Sequence, residues 1–302
     1  MVLLSALAMV LCASTTVAEE ADSVYLLAYF RTPEEALHYA YSEDGLRWHA
    51  LNNNRPVMRA EVGNKSIRDP YIRKGPDGWF HLVSTNSWKA INLIYARSRD
   101  LVTWESQRLL PVMAAIPETK NVWAPEFVYD EEQQEFLLFW SSVTSPEGHQ
   151  RTWCCRTRDF ESLSGPKILF DPGYTQIDAT IVRDGTTWHL IYKDERGENK
   201  RDTDNKAMRV AISNQIEGPY TPVTGLVTPH LTEGPAVFRA GTRWLMVYDH
   251  FMDHKWGAAE SRDLKTWTVL ENALTVPDKA RHGSVLSITR EEFARLQAEF
   301  GG

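Results

Sequence analysis

Apolar residues along this chain come in short runs, and the runs recur. YLLAYF (25–30), WFHLVST (79–85), EFLLFWSS (135–142), WHLIYKD (188–194) and RWLMVYD (243–249) are the clearest. Runs this short, rich in aromatic and branched side chains and flanked by turn pairs such as Asp77-Gly78 and Asp184-Gly185, predict strands in hairpins. A second strand follows each: LHYAYS, LIYARS, TWCCRT, MRVAIS and WGAAES. After the second strand comes a polar turn leading to an outer strand. Ser42-Glu43-Asp44-Gly45-Leu46-Arg47-Trp48 recurs as Ser98-Arg99-Asp100-Leu101-Val102-Thr103-Trp104 and as Ser261-Arg262-Asp263-Leu264-Lys265-Thr266-Trp267. Thr157-Arg158-Asp159-Phe160 is a weaker copy, and Ser213, ahead of Gly218-Pro219-Tyr220, keeps the register.

Self-similarity at a period near 56 residues marks a repeat architecture. Five copies of a several-stranded unit predict an all-β fold, a five-bladed β-propeller. The first copy lacks an innermost strand, and Gly283-Ser284-Val285-Leu286-Ser287-Ile288 is a strand with no hairpin of its own. That C-terminal strand is expected to complete the first blade and close the ring, which removes free sheet edges. Two sandwich domains fit less well, because no linker interrupts the repeat. Trp48, Trp104 and Trp267 repeat with the unit and are expected to be structural. ITREEFARLQAEF, opening at Thr289 ahead of Glu291 and Glu292, predicts a short closing surface helix.

The ends and the composition narrow the picture. Residues 2–12 are apolar and Thr16-Val17-Ala18 supplies small residues for a cut after Ala18, so 1–18 is expected to be a signal peptide. Residues 19–302 are then a single propeller domain, secreted or periplasmic. Cys12 leaves with the leader, and the adjacent Cys154 and Cys155 point to opposite faces of a strand, so no disulfide is expected. The 302 residues carry a net charge of −7 and are 43% hydrophobic and 24% charged. That excludes disorder and argues against nucleic acid as a partner. No internal membrane span is expected.

The candidate chemistry lies just before the hairpins. Asp69, Glu126 and Asp178 each stand ten residues ahead of a hairpin aromatic (Trp79, Phe136, Trp188), and Glu233 stands eleven ahead of Trp244. Innermost propeller strands line the central channel, so four acids are expected near one of its mouths, with Glu126, after Trp123-Ala124-Pro125, offset. Such acids could bind a cation or hydrate a channel. They also suit glycoside hydrolysis, which sets an acid and a carboxylate on either side of a glycosidic bond, with a third carboxylate raising the pKa of the acid.

Arg68-Asp69-Pro70, Trp123-Ala124-Pro125-Glu126, Ile177-Asp178-Ala179 and Glu233-Gly234-Pro235, in that order, resemble glycoside hydrolase family 43. The resemblance covers nearly the whole chain after the leader. It implies a five-bladed propeller acting with inversion, with Asp69 as general base, Asp178 as pKa modulator and Glu233 as general acid. Glu217-Gly218-Pro219 lies in the outer-strand register and is expected to be a structural turn instead. The resemblance also implies that His282 is a channel histidine, in some members a ligand of a calcium ion or its waters, with no other cofactor required. Arg281 is placed to meet a substrate hydroxyl or a carboxylate, and Arg68 to pair at a strand end. Trp88 and Trp123 are candidate sugar platforms. Lys193 and His250, in Lys193-Asp194-Glu195 and Tyr248-Asp249-His250, end hairpins where loops ring the pocket. The expected substrate is a glycoside or oligosaccharide, an α-L-arabinofuranoside first, with a β-xyloside or β-D-galactofuranoside open, and the chain is expected to be a monomer. A non-catalytic carbohydrate-binding propeller or an interaction scaffold is the rival class.

Overall fold

A computed structural model describes residues 23–145, 148–197, 199, 201 and 204–301. The expected leader, with Cys12, lies outside the described residues. Twenty strands form five antiparallel four-stranded sheets. The first three strands are β1 (Ser23–Arg31), β2 (His38–Ser42) and β3 (His49–Ala50). The next sheet is β4 (Arg68–Lys74), β5 (Phe80–Thr85), β6 (Leu93–Ser98) and β7 (Trp104–Leu110). Then come β8 (Trp123–Asp130), β9 (Glu135–Ser142), β10 (Arg151–Thr157) and β11 (Lys167–Phe170). The fourth sheet is β12 (Gln176–Asp184), β13 (Thr187–Asp194), β14 (Ala207–Ser213) and β15 (Thr221–Pro222). The fifth is β16 (Glu233–Ala240), β17 (Arg243–His250), β18 (Lys255–Ser261) and β19 (Trp267–Val269). Strand β20 (Ala280–Thr289) returns to pair with β1, in the order β20-β1-β2-β3. The fold is therefore the expected five-bladed propeller, closed by the C-terminal strand.

The apolar runs lack polar alternation because each blade is sandwiched between two others. Successive residues face opposite sides of a strand, and here both sides are core. Leu26 packs against the second blade with Ile72 and Leu82, whereas Leu27 packs against the fifth with Leu245 and Val247. Leu138 and Cys155 join the core between blades two and three, and Leu137 and Cys154 the one between three and four. The two thiols are buried, free and on opposite faces.

The recurrent polar turn has a physical cause. In four blades a Ser or Thr hydroxyl accepts backbone N–H groups two and three residues on, as Ser98 does from Asp100 and Leu101. The following Asp then accepts two more, as Asp100 does from Val102 at 2.9 Å and Thr103 at 2.8 Å. Between them one residue adopts a left-handed φ: Gly45 (+76°), Leu101 (+64°), Phe160 (+59°) and Leu264 (+60°). In the fourth blade Ser213 accepts only from Gln215, where the Asp of the other copies is missing.

Helix α1 (Arg290–Phe300) starts in a capping box between Thr289 and Glu292 and buries Phe293 and Leu296 against blades one and two. Among the described residues no helix is long and apolar enough to cross a membrane.

Candidate active site

Each inner strand breaks register against its neighbour close to the same channel mouth. The shifts fall between Arg68 and Tyr71, Trp123 and Glu126, Ile177 and Thr180, and Glu233 and Ala236; in β20 the extra residue is His282. The residue after each break point has a left-handed φ: Asp69 (+48°), Ala124 (+45°), Asp178 (+55°) and Gly234 (+62°). These bulges turn side chains out of the pleat and toward the mouth. Gly234 has a further reason to be glycine, since a Cβ there would come within 2.4 Å of the His282 ring.

This register refines the sequence alignment of acids. Asp69, Ala124, Asp178 and Gly234 are equivalent, with His282 in the matching place of blade one. Glu233 stands one residue toward the rim, and Glu126 two residues deeper. The spacing to a hairpin aromatic shows the offset of Glu233, eleven against ten, but hides that of Glu126, because the hairpin after β8 is two residues longer than those after β12 and β16.

The three principal carboxylates gather around His282. Its Nδ1 lies 3.4 Å from Asp69 Oδ1 and 3.9 Å from Asp178 Oδ2. Thr85 donates to Asp69 Oδ2 at 2.7 Å and accepts from the Ala124 N–H at 2.8 Å, tying blades two and three together beside Asp69. Asp178 accepts from the Gly234 N–H at 3.2 Å, and its own N–H donates to Ser141 Oγ. Glu233 receives Lys193 Nζ on Oε2 at 2.9 Å and Arg281 Nη2 on Oε1 at 3.2 Å. Arg281 also pairs with the buried Asp249.

Electrostatics separates these acids. Burial alone would raise Asp69, but His282, Arg68 and the Thr85 hydroxyl outweigh it and hold it near a pKa of about 2. Asp178 is pushed up to about 7, first by burial and then by the charges of Glu233 and Asp69. Glu233 is held below the ordinary carboxylate range: burial pushes it up, but Lys193 and Arg281 overcome that. His282 rises to about 9 despite burial, because Asp69 and Asp178 favour its charged form. Deeper in the channel, burial raises Glu126 to about 8, and its Oε2 has no hydrogen-bond partner. A small space below the mouth is bounded by Asp69, Tyr71, Glu126, Asp178, His282 and Ser284.

The other candidates divide. Lys193 and Arg281 are brought directly onto Glu233. Arg68 pairs with Glu35 and lies between the Phe30 and Trp88 rings, 4.6 and 4.5 Å from their centroids. Trp88 is 57% exposed and stands edge-to-face with Trp123, whose Nε1–H donates to the Trp88 carbonyl at 3.0 Å. These three form one rim cluster beside Asp69. His250 is not part of the gathering. It packs on Tyr248 and lines a separate groove with Lys255 and Trp256, because β17 ends one residue past Asp249 and its side chains alternate in direction. Glu217 is the structural turn expected, paired with Arg156 and Lys167.

Sequence reasoning missed Thr85, Ser141 and Glu35 and left Asp249 without a role. Thr85, Ser141, Lys193 and Asp249 pair in register with Arg68, Trp123, Ile177 and Glu233, at the last turns of their strands. The available signal was a polar residue ending an otherwise apolar run.

For a channel metal, His282 is the test. Its Nδ1 faces two carboxylates, at 3.4 and 3.9 Å, which favour its charged form. Among the described residues no group of three or more His, Cys, Asp and Glu side chains is arranged to hold a metal ion.

A closed five-bladed ring with acidic side chains meeting at one channel mouth defines a propeller glycoside hydrolase. Within that class, the chain belongs to the glycosyl hydrolase 43-related family, whose model, described as a "Probable glycosyl hydrolase domain", matches residues 20–294. An alpha-L-arabinofuranosidase of Bifidobacterium longum subsp. longum is 22% identical over 203 residues, covering 56% of this chain. The match spans only 19% of that relative's length. Among solved structures, a thermostable family-43 glycoside hydrolase superposes with a TM-score of 0.54 at 18% identity, over 70% of this chain and 74% of the other. The catalytic domain of the GH62 alpha-L-arabinofuranosidase of Coprinopsis cinerea gives 0.53 at 15% identity, over 72% of each chain. An exo-beta-1,3-galactanase of Phanerochaete chrysosporium gives 0.54 at 14%, over 69% and 51%. At these identities the superpositions speak to the fold alone.

Proposed function

We propose that the protein is an inverting, exo-acting glycosidase that removes terminal α-L-arabinofuranosyl groups from oligosaccharide side chains. The observation that carries the reading is the meeting of Asp69, Asp178 and Glu233, distant in sequence, around one protonated histidine at the channel mouth. Asp69, kept ionised, takes a proton from a water whose oxygen bonds to the anomeric carbon. The bond from that carbon to the leaving oxygen breaks, and Glu233 gives that oxygen a proton. Asp178 stands between the two and shares its charge with both. The curated arabinofuranosidase relative supports the sugar.

A panel of 4-nitrophenyl glycosides tests the substrate, and NMR of the first-formed sugar tests the stereochemistry. Release from the α-L-arabinofuranoside with an inverted anomer is expected. Preference for the β-xyloside or β-D-galactofuranoside would replace the sugar, and a retained anomer would replace the mechanism. Sugar binding without turnover would make the protein a lectin. We further propose that turnover needs no metal, so that dialysis against EDTA leaves it intact; loss on chelation and recovery with calcium would overturn this. The proposed extracytoplasmic location is tested by fractionating the host cell.

A further inference from the structure

A carboxyl that donates a proton must first hold it, and each oxygen of Glu233 meets a cation that favours the ionised form. Lys193 holds Oε2 at 2.9 Å and Arg281 holds Oε1 at 3.2 Å. Each cation also has a second carboxylate in reach. For Arg281 this is Asp249, fully buried and already engaged. For Lys193 it is Glu195, 2.7 Å from Nζ, just past the end of β13. Glu195 is in turn held by a second buried lysine, Lys206, at 3.2 Å. The Phe251 ring lies 4.2 Å from Lys193 Nζ and offers a third resting place for the charge. Lys193 Nζ already touches Glu195 and the Phe251 ring where it stands, so a withdrawal from Glu233 would not strand a buried ammonium, which would be costly. Arg281 has no comparable freedom, being fixed between Asp249 and Glu233.

We propose that Lys193 is a positioning residue: it bridges Glu233 and Glu195 in the free enzyme and withdraws from Glu233 onto Glu195 and Phe251 when a sugar enters, which frees Glu233 to carry its proton. This rests on the reading of Glu233 as the proton donor. The groups facing Glu233 are Lys193 from β13, Arg281 and His282 from β20, Asp178 from β12 and Asp249 from β17. The three cations favour its ionised form and the two aspartates oppose it, and Lys193 is the strongest of the cations. Its withdrawal is the single movement that most restores a protonated Glu233.

The test is the pH dependence of kcat and kcat/KM, measured on the aryl glycoside that the wild type turns over fastest. The alkaline limb of kcat/KM reports the donor in the free enzyme and that of kcat the donor in the complex. The limb for kcat is expected about 1–3 pH units above that for kcat/KM, the usual effect of one close opposite charge. Lys193→Met should move the kcat/KM limb up to meet it. Glu195→Gln, a change at the edge of the mouth, should do the opposite, drawing the kcat limb down and lowering kcat at neutral pH. With a 2,4-dinitrophenolate leaving group, which needs no protonation, both variants should approach wild-type turnover. Coincident limbs in the wild type, or variants that lower melting temperature and leave both limbs in place, would overturn the proposal and make Lys193 structural. Failure of the underlying reading looks different: Glu233→Gln would then retain wild-type turnover of the 4-nitrophenyl substrate.

Discussion

Two sets of acidic residues repeat around this ring, and they are used in opposite ways. Asp44, Asp100, Asp159 and Asp263 sit in the turns between second and outer strands, at or near the surface. Asp69, Asp178 and Glu233 sit at the channel mouth and are buried or nearly so. Every turn aspartate accepts two backbone N–H groups, at 2.7 to 2.9 Å. All four have lowered pKa values, Asp263 reaching about 2 chiefly through the Thr266 N–H. The mouth acids receive one backbone N–H at most and answer mainly to one another and to His282, Lys193 and Arg281. Their pKa values are spread apart, from about 2 at Asp69 to about 7 at Asp178. Satisfied by the backbone, a carboxylate stabilises the chain; set among other charges, it becomes available for proton transfer.

The largest consequence of that division is in turnover. Asp69→Asn and Glu233→Gln should each lower kcat/KM by about 10²–10⁴-fold, the contribution of a positioned base or acid. Asp263→Asn should leave kcat/KM within experimental error of wild type. Steady-state kinetics of the three variants on one aryl glycoside checks this, and comparable losses at Asp263 would abolish the distinction.

In stability the ranking reverses. Asp100→Ala strips two backbone N–H groups and the Ser98 hydroxyl of their acceptor, at a cost of about 1–3 kcal/mol. Urea unfolding, with unchanged activity per folded molecule, is the measurement. Of the mouth acids, Asp178 should tolerate removal of charge best, because burial and the charges of Glu233 and Asp69 oppose its ionised form.

Much of this was legible from residues alone, for physical reasons. The turn set announces itself because its chemistry is local: Ser98 and Asp100 bond to N–H groups within three residues, so the same letters must recur wherever the turn does. The hairpin runs were readable because a blade sandwiched between two others must be apolar on both faces, as Leu137 and Leu138 show. The mouth was only half legible. Asp69 and Asp178 are fixed by bulges ten residues from the hairpin aromatic, and Glu233 shows its offset as a spacing of eleven, whereas that of Glu126 is masked by a longer hairpin. Lys193 was marked by its place at the end of an apolar run, but its partners Glu233 and Glu195 are a matter of register between blades. His250 carries the same mark and faces elsewhere, since one step along a strand reverses the side chain.

The pH dependence of stability should also differ in sign between Asp263 of the turns and Asp178 of the mouth. Asp263 has a folded pKa of about 2, below its ordinary value, so its stabilisation is present above pH about 4 and is lost as the pH falls toward 2. Asp178 is raised to about 7, so the folded protein holds a proton the unfolded chain has given up, and stability falls as the pH rises from about 4 through 7. Melting temperatures of Asp263→Asn and Asp178→Asn between pH 3 and 8 should therefore diverge from wild type at opposite ends of the range. Asp263→Asn should lose its deficit in acid, and Asp178→Asn should gain most in base. Parallel curves would mean that the environments of the two aspartates do not differ as described.

The smallest effect lies within the turn set itself and asks whether the repeat is stabilising in every blade. Ser98 accepts two backbone N–H groups and donates to Asp100 at 2.9 Å, whereas Ser213 accepts one and has no aspartate to meet. Both hydroxyls are buried, so the comparison isolates the hydrogen bonds. Ser98→Ala loses three bonds and Ser213→Ala one, so at roughly 0.5–1.5 kcal/mol for each net bond the first should cost about three times the second. The fourth blade closes its turn differently, through Gly218 at a φ of +83° and the Tyr220 hydroxyl donating to the Ile216 carbonyl at 2.8 Å. Equal losses at the two serines would show that the hydroxyl's burial matters and its partners do not; a larger loss at Ser98 ties the stability of each blade to how completely its turn is satisfied.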